Sequence, residues 1–273
     1  MEFPMTSAPR AFGLIVVGDE ILSGKRVDKH MPKVIELLAA RGLSLAWSEY
    51  VGDEPVRITA ALGRAFASGD IVFSTGGIGA TPDDHTRQCA AAALGVPLAL
   101  HPEAEVLIRQ RMQDTAAEQG IPYEPDRPDN VHRLNMGVFP LGSNIIPNPY
   151  NKIPGFSIAD VHFVPGFPVM AWPMIETVLD TRYADLFARG QAAEKSVIVF
   201  GAMEATLTPL MQAIEQTHTG IKVFSLPSVD HPMYGRHIEL GVKGSPTQLV
   251  AAYAQLLAGL RTFDAQLGPE LVR

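Results

Sequence analysis

The chain has 273 residues, 47% hydrophobic and 19% charged, which supplies a sizeable core and excludes a disordered protein. A net charge of −7 excludes nonspecific nucleic-acid binding, and no apolar run approaches the length of a membrane span. Cys89 is the only cysteine, and residues 1–10 hold Glu2, two prolines and no apolar stretch, so the sequence predicts a cytoplasmic protein without disulfides or a secretory signal.

In chain order, residues 12–17 read as a buried strand that ends at Gly18-Asp19-Glu20. Residues 31–41 carry apolar side chains at 31, 34, 35, 37 and 38, a helical stripe that closes at Gly42. Residues 43–50 form the second strand, 58–66 a helix and 71–75 the third strand. This alternation predicts right-handed βαβ units and a mostly parallel sheet with helices on both faces. Thr81, Pro82 and Asp84 then suit the N-cap, N1 and N3 positions of a helix over 83–94, with Gly95 and Pro97 as its stop. Residues 120–156 are rich in proline and glycine yet hold enough apolar mass to form an ordered, irregular excursion, which leads into a strand at 160–164. A helix follows at 174–186, and residues 188–194 read as the domain boundary. Beyond it stands a β-α-β-β-α pattern at 196–200, 204–217, 221–226, 236–242 and 247–263. The expected domains are therefore an α/β domain at 11–187 and a small α+β domain at 195–266.

The segment Ser74-Thr75-Gly76-Gly77-Ile78-Gly79-Ala80-Thr81-Pro82-Asp83-Asp84-His85-Thr86 carries the strongest chemical signal. Three glycines in four positions let a ligand approach the backbone closely. A P-loop is excluded because Gly-Lys-Ser/Thr is absent, and a dinucleotide fingerprint because Pro82 stands at the third glycine. Asp83 and Asp84 stabilise a helix N-terminus without any ligand, yet they repel a bare phosphate there. A phosphorylated ligand at this loop therefore requires a bridging cation, or a carboxylate that acts on a non-phosphate group. Gly18-Asp19-Glu20 and Gly52-Asp53-Glu54 follow the other two strands, where a doubly wound sheet places its ligands. Together the three turns predict an acidic, metal-compatible crevice.

These same residues resemble the MoaB/Mog molybdopterin-binding family. The resemblance rests on Gly18-Asp19-Glu20-Ile-Leu-Ser-Gly24, the Gly52-Asp53 turn, Thr75-Gly-Gly-Ile-Gly79 with Asp83-Asp84-x-Thr86, Pro147-Asn148-Pro149 and Pro165-Gly166-Phe167-Pro168. It covers residues 11–175 and is closest to the N-terminal part of CinA-type proteins, without their C-terminal amidohydrolase domain. The resemblance implies a three-layer α/β/α domain that binds a pterin or nucleotide diphosphate. It also implies hydrolysis of a pyrophosphate such as ADP-ribose with a divalent metal (Mg, Mn or Co), in a homo-oligomer, dimer or trimer. Asp84 and Asp53 map onto the family's catalytic positions, and with Asp83 they are the expected metal ligands. Gly18, Asp19, Glu20, Thr75, Gly76, Gly77, Gly79, Thr86, Asn148, Pro165 and Gly166 are the expected ligand-binding residues, with backbone donors from Gly76, Gly77 and Gly79.

Two alternatives stay open. A molybdenum-cofactor adenylyltransferase is disfavoured by Asp83, which stands where those enzymes have Arg. A binding protein without catalysis is favoured by Val169-Met170 replacing a polar Ser-Glu wall; His30 and Asn151 also depart from the family's Asn and Gly. Cys89 is expected to pack in the core and His85 to lie on a helix surface. The small domain shares an element order with KH modules but lacks their Gly-x-x-Gly loop, so it reads as a support or oligomerisation domain.

Overall fold

The structure, a computed structural model, describes residues 10–187, 193–263 and 265–272. The chain divides into two compact units between Leu186 and Phe187. Residues 188–192 of the expected boundary lie outside the described residues, and 193–194 open a strand.

The first unit runs β1 (Phe12–Val17), a single helical turn α1 (Asp19–Leu22), α2 (His30–Ala39), β2 (Leu45–Val51), α3 (Pro55–Ser68), β3 (Ile71–Thr75), α4 (Thr86–Leu94), β4 (Leu98–Leu100) and α5 (Pro102–Glu118). It continues with α6 (Pro128–Arg133), β5 (Val138–Pro140), β6 (Asn144–Ile146), β7 (Gly155–Ile158), β8 (Val161–Val164) and α7 (Pro168–Arg182). Six strands make the main sheet in the order β2-β1-β3-β8-β7-β6, while β4 and β5 pair separately. The first four strands are parallel and β7 and β6 antiparallel. Sequence dictates position here. The unbroken apolar runs of β1 and β3 are buried on both faces, as interior parallel strands must be, whereas β2 alternates in burial and takes the edge.

Ile15, Val17 and Val72 join one core with Ile58 and Leu62 of α3, Cys89 of α4 and Ile108 of α5. Strand alternation turns Leu14, Val16 and Phe73 to the opposite face, and α2 and α7 pack together as the other helical pair. Phe156 stacks on Phe163 at 4.3 Å and on Phe139 at 4.7 Å. Each such side chain, fully buried, stabilises the unit by roughly 1.5–3 kcal/mol.

Several elements depart from expectation. Strand β4 is additional, and residues 120–156, expected to be irregular, hold α6, β5 and β6 and begin β7, because their apolar residues pair as short strands between the turns. Helix α4 begins at Thr86 rather than 83, for a reason set out with the site. Helix α7 begins at Pro168 rather than 174, because Pro168 at the first position fits a helix start and the second proline, Pro173, is carried inside it. Helix α5 was not anticipated: its buried face of Ala104, Ile108, Met112 and Ala116 is a thin stripe at four-residue spacing among charged neighbours.

The second unit contains β9 (Ala193–Phe200), α8 (Glu204–Thr217), β10 (Lys222–His231), β11 (Gly235–Gly244), α9 (Pro246–Leu260) and β12 (Gln266–Val272). Its sheet, ordered β10-β11-β9-β12, is antiparallel throughout. Val197, Val199, Leu240 and Val242 pack with Leu207, Ile214, Leu256 and Leu260 from the two helices. Strand β12 lies beyond the expected pattern. A register shift between Leu267 and Glu270 accommodates Gly268-Pro269 on the sheet edge. Among the described residues, no helix is long and apolar enough to cross a membrane.

Candidate functional site

The carboxyl ends of β1, β2, β3 and β8 surround a crevice of about 790 Å³. Of the residues singled out from the sequence, Gly18, Glu20, Asp53, Thr75, Gly76, Gly77, Gly79, Asp83, Asp84, Pro165 and Gly166 line it. Asp19, Thr86 and Asn148 do not, and each has a structural task instead.

The glycine loop is held from behind. Gly76 and Gly77 have φ of 96° and 68°, and a Cβ at Gly77 would stand 2.1 Å from Thr86 Oγ1. Thr86 is fully buried; its hydroxyl donates to Gly76 O at 3.1 Å and its amide to Gly77 O at 3.0 Å. Thr86 therefore shapes the loop rather than touching a ligand. Gly76 also departs from expectation, since its amide donates to Val164 O at 3.0 Å and is spent on the fold. The amides of Gly77 and Gly79 have no backbone acceptor among the described residues.

Half of the expected capping box forms, the bond from the Thr81 amide to the Asp84 carboxylate, while the Asp84 amide turns to the Thr81 carbonyl instead of its hydroxyl. Asp84 Oδ2 accepts hydrogen bonds from Thr81 N at 2.8 Å and Thr81 Oγ1 at 2.5 Å, and Asp84 N donates to Thr81 O at 3.1 Å. A carboxylate is the stronger acceptor, so it closes a turn on Thr81 and delays α4 to Thr86. Asp83 stands on this turn, exposed, with its carboxyl held below the usual range by a hydrogen bond from Thr81.

Asp19 and Asp53 clasp the first two strand ends together. Asp19 N donates to Asp53 Oδ2 at 2.9 Å, and Asp53 N donates to Asp19 Oδ1 at 3.2 Å. Asp53 is the member that lines the crevice. Burial pushes its carboxyl above the usual range, and the charges of Asp19, Glu20 and Asp83 push it further, outweighing the Asp19 amide. Asn148 is buried in a turn of its own, donating to Asn151 Oδ1 and Ile153 O and accepting from Tyr150 N.

The crevice also holds residues that sequence reasoning missed. Arg26 and Lys29 place cations on its wall, and Val27 and Phe167 add exposed apolar surface. The Lys25-Arg26 pair five residues after Glu20 was the available signal. His30 is buried with Nε2 at 2.9 Å from Gly166 O; a carbonyl only accepts, so Nε2 carries the proton and α2 is tied to the Pro165-Gly166 turn. The hydroxyl of Thr75 is buried beside the crevice without a partner. Val169 and Met170, expected to replace a polar wall, do not line the crevice; Pro168 does, and Met170 Sδ lies 3.7 Å from Asn151 Nδ2. Among the described residues, no three His, Cys, Asp or Glu side chains are gathered to hold a metal ion.

A family described as "Probable molybdopterin binding domain" matches residues 13–185. A protein from Caldivirga maquilingensis is 27% identical over 267 residues, covering 93% of this chain and 98% of its own. A CinA-like protein from Desulfosudis oleivorans is 29% identical over 90% of this chain. The chain spans 57% of that relative and 37% of a CinA-like protein from Anaeromyxobacter dehalogenans, which is 32% identical over 160 residues. The solved structure of CinA from Thermoplasma acidophilum superposes with a TM-score of 0.53 at 25% identity, covering 63% of this chain and 98% of that one.

Proposed function

The chain belongs to the MoaB/Mog-like molybdopterin-binding domain family, in its CinA-like branch, and from that premise we propose that the crevice binds a pterin or nucleotide diphosphate and hydrolyses its pyrophosphate bond with a divalent cation. One observation carries the reading: a glycine loop with unspent amides faces a desolvated carboxyl, Asp53, across a crevice whose wall also holds Arg26 and Lys29. A carboxyl raised by burial and by like charges in a cleft is a functional-site candidate.

The donor set fits a cation that arrives with its substrate better than a resident protein cage. Asp19, Asp53 and Asp84 each commit one oxygen to a backbone or hydroxyl donor, and no three-ligand cluster is assembled among the described residues. Mg²⁺ is commonly held by one or two carboxylates plus substrate phosphates, which Asp53 and Asp84 can supply, with Asp83 and Glu20 adding negative field. Such a cation neutralises phosphate charge and lowers the pKa of bound water. Gly77 and Gly79 amides donate to the phosphate oxygens, and Arg26 and Lys29 offset the charge of the leaving phosphate. Asp53 orients the attacking water; the water oxygen bonds to one phosphorus while the bridging P–O bond breaks, the leaving phosphate takes its electron pair, and the water's proton passes to solvent in the open crevice.

Incubation with ADP-ribose and Mg²⁺, Mn²⁺ or Co²⁺ tests the reaction, with AMP and ribose 5-phosphate as the expected products. Asp84→Asn keeps an oxygen for Thr81 and is expected to melt close to wild type while turnover falls by about 10² or more. A second reading, ligand binding without catalysis, is supported by the lack of a three-ligand group among the described residues. Ligand-dependent thermal stabilisation without turnover under every metal would establish it instead. Adenylyl transfer from ATP to molybdopterin would overturn both.

A further inference from the structure

A second cleft of about 390 Å³ lies beside the crevice and shares with it only Ala80, Thr81 and Asp84. Its other walls include His85, Arg87 and Gln88 at the start of α4, and His132 and Asn135 from the segment that contains α6. Arg87 is the unusual member. It is 4% exposed, yet only its Nη1 meets a protein acceptor among the described residues, Ile78 O at 3.0 Å. A guanidinium carries five N–H donors. Its other nitrogens are absent from the fully buried, unpartnered atoms, so they meet the cleft rather than the sealed core.

No carboxylate among the described residues bonds to Arg87; Asp84 acts on it through space only. His132 brings no negative charge: its Nε2–H donates to Ala80 O at 2.9 Å, and its Nδ1 accepts from the Asn135 amide at 3.3 Å. Burial draws the Arg87 pKa down from its ordinary value, the signature of a cation short of partners. A nearly buried charge without a counter-charge is among the costliest features a fold retains. Helix α4 adds to the demand, since it starts at this cleft with no side-chain cap on its amides.

We propose that this cleft binds a small oxyanion, a phosphate or carboxylate, which pairs with the Arg87 guanidinium while Gln88, His85 and the amino end of α4 donate to its remaining oxygens. The planar guanidinium fork suits bidentate capture of either group. This site does not depend on the hydrolytic reading of the crevice.

The test is a thermal-shift titration with sodium phosphate, sodium acetate and sodium chloride at constant ionic strength. Wild type is expected to show a saturable rise in Tm with phosphate or acetate and none with chloride. The arm that responds identifies the oxyanion. Gly166→Val, which narrows the crevice, is expected to keep that rise. Gln88→Glu alters an exposed side chain and sets a carboxylate facing Arg87, so oxyanion affinity is expected to fall about tenfold or more. His85→Glu is a second variant with the same expectation. A wild type that responds to neither oxyanion beyond chloride overturns the proposal. So does a rise that survives both glutamate variants, or one lost in Gly166→Val, which would place the anion in the crevice.

Discussion

At the amino end of β8, Asp160 accepts a hydrogen bond from Tyr183 Oη at 2.8 Å and pairs with Arg10, whereas at the carboxyl end of β2 Asp53 faces Asp19, Glu20 and Asp83 with one backbone donor to offset them. Burial works to raise both carboxyls. For Asp160 the bonds from Arg10 and Tyr183 win and hold it below the usual range; for Asp53 nothing of that strength opposes burial, and it rises. Behind Asp160 the pairing continues inward. His162 Nε2–H donates to Tyr183 Oη at 2.6 Å, and Ser157 Oγ donates to His162 Nδ1 at 2.8 Å. Burial pushes His162 down to about 3, so this imidazole stays neutral. One end of the sheet satisfies its charges within the fold, and the other leaves its carboxyls facing one another in the crevice.

Variants that close or unpair each end sharpen this contrast, and the largest effect is expected in the crevice. Gly166 has ordinary backbone angles, and a Cβ there makes only van der Waals contact, 3.4 Å from Gly76 Cα. Gly166→Val is therefore expected to leave Tm within a few degrees while weakening ADP-ribose binding about 100-fold, by overfilling the site. Gly77→Val is the poorer probe, because its positive φ and the Thr86 contact make it lose stability as well.

At the opposite end, Tyr183→Phe removes the shared hydroxyl and strands His162 Nε2 without a partner. The expected cost is about 1–3 kcal/mol in denaturant unfolding, with kcat/KM for ADP-ribose unchanged. A loss of activity with normal stability would break the division of labour between the two ends.

The smallest effect separates the carboxyls by pH. The folded pKa of Asp53 lies above its ordinary value of 3.8, so between those values the folded state holds the extra proton and stability falls as pH rises. Asp53→Asn removes that penalty. At pH 7 it is expected to raise Tm by about 1–3 °C, a gain that vanishes below the ordinary carboxyl pKa. His162 works with the opposite sign. Its folded pKa of about 3 lies under the ordinary 6.5, so the stability it supports is present above 6.5 and lost as pH falls through that window. Melting curves at stepped pH for wild type and Asp53→Asn check both slopes.

Much of this arrangement was legible in the sequence because its signals were local. The unbroken apolar runs of β1 and β3 and the Gly-acid turns after β1 and β2 required no tertiary knowledge to read. What stayed hidden depended on competition or on contacts distant in the chain. The Asp84 carboxylate could cap a helix or close a turn on Thr81, and only the buried Thr86 bonds to Gly76 and Gly77 decide which. Asp19 carries the same signal as Glu20, yet its backbone partner at Asp53 draws it out of the crevice. The burial of Arg87 depends on Ile78, nine positions earlier in the loop, folding against it.

The role proposed for Asp53, which has no cationic partner among the described residues, is to serve a cation brought in with a diphosphate. The most direct test is calorimetric titration of Mn²⁺ into wild type and Asp53→Asn, with and without the methylene-bridged analogue of ADP-ribose. The account predicts weak Mn²⁺ binding alone, an affinity about tenfold or more higher once the analogue is bound, and loss of that coupling in Asp53→Asn. Equal Mn²⁺ affinity with and without the analogue, or undiminished coupling in the variant, would contradict it.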